Sequence, residues 1–203
     1  MIAIIDYGVG NLFSLKSSLA MIGAEAVVTS NPGEIRAAKR IILPGVGAFG
    51  DARKKLADSG LDALLLEEAA RGKPVMGICL GMQMLFEKSF EYGEHAGLGL
   101  IPGEVVPMTG KLSKELKIPH IGWNALDILV PDHPLMKYTK SGDCVYFVHS
   151  FYATGCRPYT LATSEYGIDV TAAVAKDNVM GCQFHPEKSG TVGLNILKAF
   201  CEV

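Results

Sequence analysis

The chain has 203 residues, 49% of them hydrophobic and 20% charged, which is enough to bury a sizeable core and excludes disorder and collagen-like structure. Lys+Arg number 19 against 21 Asp+Glu, a net charge of −2, so nothing general draws the protein to nucleic acid or anionic membrane.

The opening Ile2–Asp6 has no basic segment before it and meets an acid early, which predicts a buried first strand rather than a signal peptide. A helix is expected over Asn11–Ile22, with Asn11 as N-cap and Gly23 as its stop. Strands follow at Glu25–Thr29 and Arg40–Leu43, separated by the turn-rich Ser30-Asn31-Pro32-Gly33. Ala48–Asp58 and Leu61–Arg71 carry apolar residues at helical spacing. Pro74–Ile78 is a short buried run leading straight into a helix over Leu80–Glu87. The strongly apolar stretch Pro74–Phe86 falls well short of the ~20 residues that cross a bilayer.

After residue 100 the texture changes. Glu104–Met108, Cys144–Tyr152, Thr160–Tyr166, Val170–Lys176 and Val179–His185 read as strands, and Gly190–Glu202 as a closing amphipathic helix. The expected fold is one α/β domain over residues 1–203. It has an open, mostly parallel central sheet with helices on both faces and a smaller antiparallel portion in the C-terminal half. The five cysteines are odd in number and form no Cys-x-x-Cys pair, so neither a disulfide framework nor a zinc site is indicated, and a reduced cytoplasmic protein is expected. Met21, Met76, Met82 and Met84 are assigned to core packing.

Gly77-Ile78-Cys79-Leu80-Gly81 has the form of a nucleophile elbow between a strand and a helix. Glycines are needed there because the sharp turn crowds its neighbours. The turn would expose Cys79 at the carboxyl edge of the sheet and at a helix N-terminus, where thiolate is favoured over thiol. Against this stands the bland alternative that Cys79 is a small buried hydrophobe. The amide of Leu80 would donate to an oxyanion.

Of the five histidines, His185 ends an apolar run and is followed by Pro186-Glu187, so an extended backbone would project His185 and Glu187 to one side. With Cys79 they fill the nucleophile, base and orienting roles of a triad. His133 and His95 read as solvated loop residues. Pro44-Gly45-Val46-Gly47-Ala48-Phe49-Gly50 lacks the lysine and hydroxyl of a phosphate loop, and is better used to supply N–H donors beside Cys79.

Gly77-Ile78-Cys79-Leu80-Gly81-Met82-Gln83 with Phe184-His185-Pro186-Glu187 downstream resembles the class I (triad) glutamine amidotransferases. Within that family, Pro44–Gly50, Pro119-His120-Ile121-Gly122-Trp123-Asn124 and His185-Pro186-Glu187-Lys188-Ser189 look like the glutaminase subunits of imidazole glycerol phosphate synthases. The resemblance covers essentially the whole chain. It implies Cys79 as nucleophile, His185 as general base and acid, and Glu187 as its orienting partner. An oxyanion hole from Leu80 and the Val46–Gly47 region is implied as well. Gln83, His149, Ser150 and Phe151 would hold glutamine. No cofactor or metal is implied. The ammonia would pass to a (β/α)₈-barrel cyclase subunit in a heterodimer, with Asn11, Trp123, Asn124 and Lys188 on the docking face. The competing readings are another triad amidotransferase, such as those of vitamin B6 synthesis, a free-standing cysteine hydrolase, and a non-catalytic binding module.

Overall fold

A computed structural model describes residues 1–113 and 115–203. The first half runs β1 (Ile2–Ile5), α1 (Leu12–Met21), β2 (Ala26–Thr29), α2 (Pro32–Ala37), β3 (Arg40–Leu43), α3 (Phe49–Asp58), α4 (Leu61–Ala70), β4 (Val75–Ile78) and α5 (Leu80–Met84). The second half is mostly strand: β5 (Lys88–Ser89), β6 (His95–Ala96), β7 (Glu104–Pro107), β8 (His120–Ala125), β9 (Asp127–Ile128), β10 (Cys144–His149) and β11 (Phe151–Thr154). It closes with β12 (Thr160–Glu165), β13 (Asp169–Lys176), β14 (Val179–Cys182) and α6 (Gly190–Glu202).

The large sheet has the order β2-β1-β3-β4-β14-β13-β12-β9. Its first five strands are parallel and its last four antiparallel, with β14 shared between the two regimes. The α/β class with a smaller antiparallel portion is therefore what the chain adopts. The central strands are buried on both faces, which is why they read as unbroken apolar runs. Alternate residues go to opposite layers: Ala3, Ile5, Ile41 and Leu43 pack with residues of α2, α3 and α4, while Ile2, Ile4 and Ile42 pack with Leu15, Leu19, Ile196 and Phe200 of α1 and α6. Two further sheets, β10-β8 and β11-β7-β5-β6, lie beside this frame.

Several expectations need correction. Asn11 holds the N-cap position of α1 as expected, but its side chain makes no capping hydrogen bond; at α2 such a bond is made by Asn31, whose Oδ1 accepts from the Gly33 N–H at 2.8 Å and makes the Ser30–Gly33 turn the start of that helix. The helix after the elbow ends at Met84, not Glu87. Cys144–Tyr152 is two strands in different sheets, broken at Ser150, and the strand before His185 ends at Cys182. His95 is not a solvated loop residue: it sits in β6, half-buried against the Phe49 ring at 6.3 Å. His133 is also only half-exposed, its Nδ1 accepting from the Leu135 N–H at 3.2 Å. Met76, Met82 and Met84 are core residues, but Met21 is 73% exposed, because the last turn of α1 rotates it off the packed face.

Candidate active site

Neighbouring parallel strands β4 and β14 bring the elbow and the histidine together. They pair Gly77 with Gly181 and Ile78 with Cys182, and the Cys79 N–H donates to the Cys182 carbonyl at 2.8 Å. Both chains thus leave the sheet at the same edge. Cys79 turns at φ 54, ψ −112, a conformation that glycine alone adopts freely. The flanking glycines are needed for space. A Cβ at Gly77 would stand 2.6 Å from Gly81 O and the Met82 backbone, and one at Gly81 would collide with the Leu43 carbonyl.

His185 is held at both ends of its backbone. Its N–H donates to Tyr146 O at 3.0 Å, and its carbonyl accepts from the Ser189 hydroxyl at 2.6 Å. The Ser189 hydroxyl also accepts from the Tyr146 N–H at 3.0 Å. Beyond His185 the chain enters a 3₁₀ turn, Pro186–Lys188, started by the proline. His185 and Glu187 therefore meet across a turn rather than along an extended segment. Nδ1 and Oε1 are 2.8 Å apart, and each side chain is 3% exposed. Burial opposes the imidazolium, but hydrogen bonds and charge from Cys79 and Glu187 outweigh it and raise His185 to about 10. The second Glu187 oxygen is buried with no partner among the described residues.

A cleft of about 370 Å³ opens over these groups, a size suited to a small polar molecule. Cys79, His185, Leu80, Val46, Gly47, Gln83, His149, Ser150, Phe151 and Lys188, all singled out from the sequence, lie on its wall. Asn11 instead lines a small adjoining cavity with Glu187 and Val46. Trp123 and Asn124 are on β8, outside the cleft. Leu80 is the first residue of α5, where a helix leaves its N–H without an internal acceptor. The loop that carries Val46 and Gly47 is anchored by the Tyr7 hydroxyl, which donates to Pro44 O at 2.7 Å; burial and the nearby Cys79 push that phenol up. Gly45 lets the loop approach the elbow, since a Cβ there would be 2.7 Å from the Gly81 nitrogen.

Gln83 is buried, and its amide donates both hydrogens, to Phe151 O at 3.0 Å and to Gln183 Oε1 at 2.9 Å. That leaves its carbonyl oxygen for a ligand. Two further groups carried no recognisable pattern in the sequence: Gln183, which lies behind the wall against Cys79 and Gln83, and Glu91, which lines the cleft. Gln183, fully buried, points Nε2 at the Cys79 sulfur at 3.7 Å; a polar residue within an apolar run was its only signal. Glu91 is the one carboxylate residue among the described residues that line the cleft. Its carboxylate accepts from the Phe49 N–H at 2.7 Å, and burial nevertheless pushes its carboxyl up. No spacing marks it, because Glu91 arrives by tertiary contact from a loop.

Two aromatic rings and a cation form a row beside the cleft. Trp123, 56% exposed, pairs across the strands with Tyr146 at 6.0 Å between ring centroids, and Lys188 Nζ lies 5.8 Å from the Tyr146 ring. Ile121 on the same face of β8 is 57% exposed. Among the described residues, no group of three or more His, Cys, Asp or Glu side chains is arranged to hold a metal, and no helix is long and apolar enough to cross a membrane.

Residues 3–202 match the family model described as glutamine amidotransferase class-I. The chain is 51% identical to imidazole glycerol phosphate synthase subunit HisH of Caldanaerobacter subterraneus, covering 100% of this chain and 98% of that protein. It is 48% identical to the Wolinella succinogenes protein of the same name, with 100% of each covered. Among solved structures, a crystal structure of a glutamine amidotransferase superposes with a TM-score of 0.78 at 19% identity, covering 100% of this chain and 98% of that one. PurLQS from Thermotoga maritima superposes with a TM-score of 0.74 at 21% identity, covering 99% and 97%. At such identities these two likenesses concern the fold.

Proposed function

The chain belongs to the class-I glutamine amidotransferases, and from that premise we propose that it is the glutaminase subunit of an imidazole glycerol phosphate synthase, working through a Cys79–His185–Glu187 triad. What supports the reading most is the meeting of Cys79, His185 and the Glu187-bound imidazole at one cleft from strands about a hundred residues apart.

In this mechanism the Cys79 sulfur adds to the side-chain amide carbon of glutamine, and its proton resides on His185. The oxyanion formed takes hydrogen bonds from the Leu80 N–H and the Val46–Gly47 segment; losing one such donor typically costs about 10²–10³-fold. Collapse breaks the C–N bond, with His185 delivering a proton to the leaving nitrogen so that ammonia departs. Water, deprotonated by His185, then attacks the thioester and releases glutamate and the thiol. Glu187 accepts from Nδ1 throughout, holding the tautomer and favouring the imidazolium. Gln83, Ser150, Phe151 and His149 form the wall that receives the substrate, and Glu91 is placed to take its ammonium group.

Ammonia set free in neutral water is mostly protonated and no longer nucleophilic, so the product has to be handed on under cover of a partner. The relatives' name, a synthase subunit, fits such a partner. We assign it as a cyclase of (β/α)₈-barrel fold in a cytoplasmic heterodimer of histidine biosynthesis. Trp123, Asn124, Lys188 and Asn11 would form the docking face. The row of exposed Trp123 and Lys188 around the half-buried Tyr146 beside the cleft supports that assignment, since an aromatic-rich surface with a cation suits an interface core.

The test is covalent labelling by a glutamine-analogue electrophile together with glutamate release in the presence of the cyclase. Label on the Cys79 peptide, and glutamate release lost in Cys79→Ala, is the expected result. Undiminished glutamate release by clean Cys79→Ala protein would overturn the mechanism. Rapid turnover by the isolated chain with no response to a cyclase would instead favour a free-standing hydrolase.

A further inference from the structure

His120 and His149 face one another across the β8–β10 ladder as a register pair, with His120 Nδ1 3.0 Å from His149 Nε2. The contact continues at both ends. His149 Nδ1 is 2.9 Å from the Phe151 carbonyl in the cleft wall, and His120 Nε2 is 2.8 Å from Asn124 Oδ1. Asn124 Nδ2 then donates to the Glu165 carbonyl at 3.1 Å. The result is a chain of four links that ends at each side on a backbone carbonyl, which has no hydrogen to give.

Its protons can be counted. A neutral imidazole offers one N–H and one lone pair, and an amide used once on each side offers one donor and one acceptor. Three neutral groups therefore bring three hydrogens to four links. Turning the Asn124 amide over moves the gap to the Glu165 carbonyl without closing it. We propose that His120 is a positioning residue for the cleft wall at Phe151, and that one extra proton shared between His120 and His149 completes the chain.

The two parts of the proposal are connected by tautomer choice. When the His120 N–H points at His149 Nε2, His149 must carry its own hydrogen on Nδ1, where it holds the Phe151 carbonyl. Without that instruction His149 is free to protonate Nε2 and set a lone pair against the carbonyl instead. His120 is fully buried and stacked between the Tyr166 ring at 3.9 Å and the Phe147 ring at 4.8 Å, two π faces that favour a cation between them. Opposing the charge are burial, which lowers both histidines and takes His149 to about 4, and the positive field of His185 on His149. The titratable groups around the pair are thus Tyr166 beside His120 and His185 beside His149. At neutral pH the open link falls at Asn124; acid closes it.

Histidine-selective ¹⁵N NMR on the full chain tests the count, and amide hydrogen exchange tests the positioning. Both rings are expected to report one coupled titration, the acid form carrying three ring N–H groups between them. Asn124→Asp places a carboxylate at the far end and should raise that midpoint by about one pH unit or more. His120→Phe keeps the aromatic stack and removes both links; exchange at Ser150 and Phe151 should quicken about tenfold. Independent titrations, or a midpoint indifferent to Asn124→Asp, would overturn the shared proton. Unchanged exchange in folded His120→Phe would reduce His120 to a packing residue. The inference rests on the proposed glutaminase only for its kinetic consequence, a several-fold rise in KM for glutamine with kcat little changed. Were that activity wrong, no variant would turn over glutamine, whereas the titration and exchange would read as before.

Discussion

His185 Nδ1 and Glu187 Oε1 stand 2.8 Å apart on either side of Pro186, inside a region where each side chain is 3% exposed. The pair is possible because Pro186 starts a 3₁₀ turn that swings Glu187 back under the imidazole. An ion pair this well buried is expensive to break, since removing one partner strands the other.

Replacing Glu187 by Gln removes the charge and keeps the shape. The His185 midpoint, about 10 in the intact protein, should fall by more than one unit, as followed by the ring resonances of His185. The free imidazole titrates near 6.5, so folding takes up a proton between that value and about 10. The stability this confers is complete below the lower value and is shed as pH rises through the upper. Unfolding measured from neutral to alkaline pH should show the loss, and Glu187→Gln should flatten it. Glutamine turnover should drop by roughly 10²–10⁴-fold.

Cys79 occupies a backbone conformation that an L side chain takes only under compulsion. Cys79→Gly is therefore expected to be more stable than Cys79→Ala by about 1–3 kcal/mol, read from urea unfolding. Equal stabilities would mean that the elbow relaxes once the sulfur is gone.

Two glycines near the elbow separate crowding from conformation. A Cβ at Gly81 would run into the Leu43 carbonyl, whereas at Gly47 it would meet nothing within 4 Å and suffer only from φ +91. Gly81→Ala should lose about 3 kcal/mol or fail to fold, and Gly47→Ala about 1 kcal/mol. Chemical denaturation of the two variants side by side decides it.

Trp123 touches Tyr146 but leaves 56% of its surface exposed, an arrangement that costs the isolated chain little to lose. Trp123→Ala should weaken association with the cyclase by about 2 kcal/mol or more while shifting the chain's own stability by less than about 0.5 kcal/mol. Titration calorimetry with the partner, and unfolding without it, give both numbers.

The α/β class, the parallel first half, the antiparallel second half and the identity of the elbow were all legible in the sequence, because each depends on local periodicity and on glycines at a turn. Central strands such as Ile2–Ile5 and Val75–Ile78 declare themselves by being apolar on both faces. Residue type alone misled at two places in α1: Asn11 stands at the N-cap yet its side chain makes no capping bond, and Met21 is apolar yet lies off the packed face of the helix. Residues whose place depends on another strand left no local signal. Glu91, Gln183 and the His120–His149 pair reach the site through contacts spanning tens of residues or more, with a hundred between Gln183 and Gln83. Residue order alone singled out Cys79 and His185. Only the pairing of β4 with β14 decided that they share one edge of the sheet, because strand neighbours are chosen by the packing of the whole chain.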